Sequence, residues 1–266
     1  MKFLSCLPIA TALYSPRPAD QALIGAWNLD KWTNAKIQDS HSEQIHYEVF
    51  GRYDILQISG VLEDSVDDFI RLVENFNSLA TEKYAVAMCE PTGQFPIDVE
   101  VAGFIYKPDL FDVTTFLYDD NKPTAPTFVR YPCIAQVESA LFDEPVFLVG
   151  TSAEADRAVI ELNALDAVYD NIRSVKDSIS VMFLGNMYAD CNYVSNWDDV
   201  KIYNNPVYTW WIEDGADTMV SSANCAFDRI ISTEILGDRI IAQVYDFQFD
   251  IGIEREAALA VSWQSF

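Results

Sequence analysis

Apolar stretches of strand length recur along the whole chain, and between them stand segments whose apolar residues return every three or four positions. A chain written this way must bury sheet against helix. "ALIGAWNL" (22–29), "YDILQIS" (53–59), "YAVAMCE", "VAGFIYK", "TTFLYDD", "CIAQVES", "PVFLVG" and "SVMFLG" read as strands. Residues 39–50 read as a helix ended by Gly51. Residues 64–79 open on an Asp/Ser cap and place Val66, Phe69, Ile70, Val73 and Phe76 at helical spacing. Residues 153–175 form a long amphipathic helix. The turn "PTGQFP" between two strands predicts a hairpin, so the sheets are mixed rather than all parallel. The C-terminal segments "FDRIIST", "DRIIAQVY" and "AALAVSW" read as further strands. The expected fold class is α+β, a four-layer α/β/β/α sandwich of two packed mixed β-sheets flanked by helices.

Half of the 266 residues are apolar and 13% are aromatic, enough for a large core, and no repeat or linker divides the chain. Seventeen Lys and Arg stand against 41 Asp and Glu, a formal net charge of -24. Affinity for a phosphate backbone comes mainly from cationic side chains, and a strongly negative field opposes the encounter. Nucleic acid is therefore disfavoured as a partner. The opening "MKFLSCLPIATALYSPRPADQA" has a lysine, an apolar run of about ten residues and then small polar residues, the pattern of a secretory signal peptide. It is placed at 1–21, with cleavage between Ala19 and Ala22 and one domain over 22–266. No apolar run approaches the roughly 20 residues a membrane span needs, so no membrane association is expected. Four cysteines follow the leader's Cys6. In an oxidising compartment Cys191 and Cys225 can close a disulfide, and Cys89 with Cys133 either forms a second or stays as buried thiols.

One stretch has the layout of a catalytic loop. "FLGNMYADCNYV" (183–194) carries an apolar strand into a turn at Gly185 and then presents Asn186, Tyr188, Asp190 and Cys191. Together with "IGAWN", "RYDILQI", "EP" plus Gly93, "YDD" (118–120), "IELNALDAVYD", "TWWIEDGADTMVSSANCAFDRI" and "EAALAVS", in that order and spacing, it makes the chain resemble the secreted, deoxyribonuclease I-like endonucleases over nearly its whole mature length.

The resemblance implies phosphodiester cleavage with a divalent metal held by carboxylates and amides, assisted by two histidines paired with carboxylates. Asn28, Glu90, Arg130 and Asp228 match the family pattern. Other positions depart from it. An expected metal-binding Glu falls on Gly60, and an expected phosphate-binding Arg on Asp30. The first histidine falls on Ser152. The loop's Asp and Asn are Asn186 and Tyr188, and a terminal Ser-Asp-His reads Ser262, Trp263, Gln264. The chain's two histidines, His41 and His46, lie elsewhere.

These departures lead to the expectation of a secreted non-enzyme, a catalytically inactive member serving a binding or structural role in protein interaction, matrix, granule or storage. The alternative is a residual or altered metal-dependent phosphodiesterase in which Tyr188 or Asp190 is recruited. No cofactor is required on the first reading, with weak calcium binding at Asp217 and Ser221 as the candidate exception. Trp27, Trp32, Tyr188, Trp210, Trp211 and Trp263 are expected to fill the old cleft. A protein partner is expected, with actin a minor candidate through the region of Val86, Met88 and Cys133. Arg130 is expected to form a salt bridge with Glu90.

Overall fold

The computed structural model describes residues 21–37, 40–93, 99–120, 126–175, 179–233 and 242–261. Two mixed sheets carry the fold. The first has the strand order β1(Ile24–Trp32), β2(Ile55–Leu62), β4(Glu100–Tyr106), β3(Ala85–Met88). The second has the order β5(Asp112–Leu117), β6(Cys133–Glu138), β7(Val146–Ser152), β8(Ser180–Asn186), β10(Asp228–Thr233), β9(Tyr208–Trp210). The pairs β1–β2 and β7–β8 are parallel and the rest antiparallel, including the expected β3–β4 hairpin pairing.

Three apolar layers follow from the period-2 alternation of the strands. Trp27, Leu29, Leu56, Ile58 and Ile105 face outward from the first sheet. They meet Ile45, Val49 and Phe50 of α1(Ser40–Arg52) and Phe69, Leu72, Val73 and Phe76 of α2(Val66–Leu79). Phe147, Val149, Val181, Phe183 and Ile231 face outward from the second sheet onto Leu162, Leu165, Val168 and Ile172 of α3(Ala158–Val175). Between the sheets lie Ile24, Ala26, Ile55, Phe104, Leu148, Met182, Leu184 and Ile230. This is the expected four-layer sandwich. Each fully buried aliphatic or aromatic side chain contributes about 1.5–3 kcal/mol.

The middle layer is thin where Gln57 crosses it. A Cβ at Gly150 would stand 2.8 Å from Gln57 Cγ, so only glycine lets the second sheet approach there.

Two local expectations are corrected. "AALAVSW" is not a strand: α6(Arg255–Val261) occupies it after the short α5(Phe247–Ile251), because Glu, Ala and Leu are strong helix formers and the buried Ala258 and Val261 are spaced three apart. Helix α1 runs through Gly51 to Arg52 rather than stopping at the glycine. Of "DRIIAQVY", residues 238–241 lie outside the described residues, and the remainder forms no strand. The signal peptide expected at 1–21 falls, up to residue 20, outside the described residues.

Both cysteine pairs are bonded, Cys89–Cys133 and Cys191–Cys225, each with Cα atoms 5.9 Å apart. The first ties the end of β3 to the start of β6 and so fastens one sheet to the other. The second joins the loop after β8 to the approach of β10. Arg229 holds the same region from beneath. Its buried guanidinium donates to Ile212 O and Ala189 O, each at 2.6 Å, and to Asp214 at 2.8 Å. A short helix, α4(Lys201–Asn204), completes the α-helices among the described residues.

Candidate active site at the polar end of the inter-sheet layer

The apolar layer between the sheets ends in polar side chains. Asn28 continues the face of Ile24 and Ala26, and Ser59 that of Ile55 and Gln57. Glu100 precedes Ala102 and Phe104, and Ser152 follows Leu148 and Gly150. Asn186 follows Leu184, and Asp228 precedes Ile230. Residues two apart share a sheet face, so six strands deliver polar groups to one end of one layer. The register agrees: Asn28 lies opposite Ser59, and Asn186 is flanked by Ser152 on β7 and Asp228 on β10.

Arg130 enters this end from the loop before β6. Its Nε lies 3.1 Å from Glu100 Oε2, and its Nη1 3.1 Å from Glu154 Oε2. The expected Arg130–Glu90 bridge is therefore corrected. Glu90 is exposed, and the buried acid reached by Arg130 is Glu100. Sequence reading missed Glu100, Ser59 and Glu154. A signal for the first was present, since Glu100 is an acid in phase with the inward residues of "EVAGFIY".

Burial sets the electrostatics. The Asp228 carboxyl is pushed up to about 7 by desolvation, with a hydrogen bond from Thr218 opposing the rise. Behind the site, burial raises Glu161 to about 7. Backbone N–H donors of Val129 (3.1 Å) and Glu154 (3.4 Å), with the guanidinium of Arg157 (3.7 Å), pull it the other way. The Tyr188 hydroxyl is raised by burial and by the neighbouring charge of Glu154, which excludes it as a base at neutral pH. The two carboxylate oxygens of Asp190 accept the backbone N–H groups of Cys191 and Ala226, each at 2.7 Å, which ties the loop after β8 to the approach of β10.

The remaining positions are placed as follows. Gly60 has φ +77°, and a Cβ there would stand 2.8 Å from Asn28 Oδ1 and from the Asp30 nitrogen. Asp30 and its neighbour Lys31 have φ of 46° and 52°, so β1 bulges over Gly60. Asn28 Oδ1 accepts the Asp30 N–H at 3.0 Å, and Asn186 Oδ1 accepts that of Tyr188 at 3.2 Å. A cavity of about 510 Å³ beside β1 is lined by Asn28, Asp217, Ser221 and Asp228. Asp217 and Ser221, the calcium candidates, each accept a backbone N–H of their own loop. Trp263 and Gln264 lie outside the described residues.

Among the described residues, the tryptophans expected to fill the cleft lie elsewhere. Trp27 and Trp32 are buried on the helix side of the first sheet, Trp210 packs on Trp197 and Tyr203, and Trp211 donates to Ser232. Of the described members of this set, Tyr188 stands at the site, its N–H on Asn186 Oδ1. His46 is buried in α1, lowered to about 4 by desolvation, and accepts from Trp32. It takes no part in the polar layer.

The donor set is hard oxygen: two amides, two carboxylates, and the buried Ser59 Oγ and Gln57 Oε1, neither of which has a hydrogen-bond partner. Such donors fit magnesium, manganese or calcium. Among the described residues no group of three or more His, Cys, Asp or Glu stands ready to hold a metal.

No protein-family model matches the chain. It is 30% identical to deoxyribonuclease-1 of Sus scrofa over 249 residues, covering 90% of this chain and 87% of that one. It is 28% identical to human deoxyribonuclease-1-like 2 over 267 residues, covering 90% and 88%. Among solved structures, the human Nocturnin catalytic domain superposes with a TM-score of 0.55 at 13% identity, covering 78% of this chain and 81% of that one. An endonuclease/exonuclease/phosphatase family protein from Bacteroides thetaiotaomicron superposes at 0.54 and 12%, covering 80% and 81%. The two deoxyribonucleases, matched along nine-tenths of this chain, overturn the expectation of a non-enzyme. By identity and coverage, the chain belongs to the deoxyribonuclease I family.

Proposed function

We propose that the chain is a metal-dependent phosphodiesterase of altered chemistry, acting in the secretory or extracellular space, with residues 22–266 as its working domain. The observation that carries this reading is the convergence of Glu100, Arg130, Asn186 and Asp228 on one polar end of the inter-sheet layer. The two disulfides suit an oxidising compartment.

Asp228 takes the acid/base role. A carboxyl that titrates near 7 can accept the proton of an attacking water at neutral pH, where an ordinary aspartate is too weak a base. The water's oxygen forms the new bond to phosphorus, the ester P–O bond breaks, and the leaving oxygen is protonated from solvent. Arg130, held by Glu100 and Glu154, brings positive charge to the phosphoryl oxygens. The amides of Asn28 and Asn186 fix orientation. Glu100 and Asn28 would hold a divalent cation, which when bound would neutralise charge developing on the phosphate.

The net charge of -24 shapes the substrate class. Repulsion weighs against long polyanions and favours short phosphodiesters, or DNA presented with ample divalent cation. The test is nicking of supercoiled plasmid by the purified mature chain in magnesium, manganese or calcium. Metal-dependent nicking lost in Asp228→Asn supports the reading. Absence of nicking and of short-diester cleavage in all three metals rejects it.

A further inference from the structure

The loop after β8 carries two backbone outliers that acid/base chemistry does not use. Tyr188 has φ +47° and Cys191 φ +53°, a left-handed conformation that is unusual for a bulky residue. Such strain persists only where the surroundings enforce it, and it concentrates at functional sites. Here the enforcement is visible. Asn186 Oδ1 accepts the Tyr188 N–H, the Cys191–Cys225 disulfide pins the loop, and Asp190 accepts the Ala226 N–H across it.

The strained backbone sets three rings against one another. Tyr188 meets Tyr193 with ring centres 5.0 Å apart at 71°, and Phe227 at 5.1 Å. Tyr193 meets Phe227 at 5.4 Å and 64°. Phe227 is buried and Tyr188 half-buried, whereas Tyr193 remains 38% exposed. The cluster is therefore a supported shelf with one ring presented to solvent. It also adjoins the site, because the Tyr188 N–H donates to Asn186 Oδ1 at 3.2 Å and Phe227 directly precedes Asp228.

Resting on the phosphodiesterase reading, we propose that Tyr193, backed by Tyr188 and Phe227, stacks the nucleobase next to the reacting phosphate and so makes the enzyme prefer nucleotide diesters over abasic ones. An aromatic face suits any base, because every base has a π-face, and such stacking is worth about ten- to a hundredfold in affinity. The shelf carries no cation of its own, so it adds affinity for the uncharged part of the substrate without depending on the charge balance.

The test measures hydrolysis of the thymidine dinucleotide diester and of its abasic counterpart, with calorimetric binding of thymidine 5′-monophosphate in magnesium. Wild type is compared with Tyr193→Ala, Tyr193→Phe and Tyr193→Trp. The expected result is a KM for the dinucleotide raised about tenfold or more in Tyr193→Ala with kcat little changed. Phe and Trp should retain wild-type KM, and the abasic diester should be indifferent to all three. Monophosphate binding should weaken in parallel in Tyr193→Ala. Equal effects of Tyr193→Ala on both diesters, or monophosphate binding that is absent or indifferent to the substitution, would overturn the shelf. Because binding needs no turnover, an inactive protein that still binds the nucleotide through Tyr193 would reject the phosphodiesterase reading while leaving the stacking role standing.

Discussion

Glu100 at the start of β4 and Arg130 before β6 close a buried ion pair across the two sheets, with Oε2 and Nε 3.1 Å apart. The pair fixes the Arg130 guanidinium at the polar end of the layer. It also distinguishes two acids that look alike in sequence. Glu100→Gln should lower phosphodiester turnover by about a hundred- to ten-thousandfold. Exposed Glu90→Gln should leave it unchanged within about twofold, inside the ordinary scatter of surface substitutions. Steady-state rates of the two purified variants decide between them.

Gly60 resists substitution. Its φ of +77° and the 2.8 Å approach of Asn28 Oδ1 leave no room for a side chain. Gly60→Ala should destabilise by more than about 1 kcal/mol, lowering the denaturation midpoint. Gly60→Glu should do the same without raising activity, because β1 bulges over the position where an added carboxylate would have to pass.

Stability should fall as pH rises from about 4 to about 7 in the metal-free protein. Asp228 and Glu161 each have a folded pKa raised to about 7 by burial, above the unfolded value, so the native state binds more protons across that window. The protonated forms are the stabilising ones, and their contribution is lost as pH passes 7. Thermal melts in chelator should show a higher Tm at pH 5 than at pH 8. Asp228→Asn should flatten part of that slope.

The Cys191–Cys225 bond closes a loop with a sequence separation of 34. Replacing both cysteines by serine should cost about 2–4 kcal/mol in denaturant unfolding. It should also free the Tyr188 backbone and raise KM for nucleotide diesters more than for abasic ones.

The layers were legible because alternation and helical period directly encode burial. "SVMFLG" and the 153–175 helix could be read from pattern alone. The C-terminal helix was not, because "AALAV" satisfies both an apolar run and a helical one. At the site, Asn28, Arg130 and Asp228 were marked by the resemblance to the deoxyribonuclease I-like family, and Asn186 by the loop that follows "SVMFLG". Glu100 was not, because its significance lies in its phase with Phe104 and its reach to Arg130, a loop 30 residues on. Ser59 was hidden for the same reason, as a small polar residue whose burial comes from the opposing sheet. The tryptophans misled because residue type says nothing about which face of a sheet a side chain takes, and Trp27 is one residue out of phase with Asn28.

The most direct test of the account is the hydrolysis rate of a short phosphodiester in magnesium or manganese by the wild-type chain beside a Glu100→Gln, Asp228→Asn double variant of the same purity. The account predicts metal-dependent turnover by the wild type, abolished by chelator and reduced to background in the double variant. Equal rates for the two proteins, or no turnover by the wild type above the metal-only blank, would contradict it.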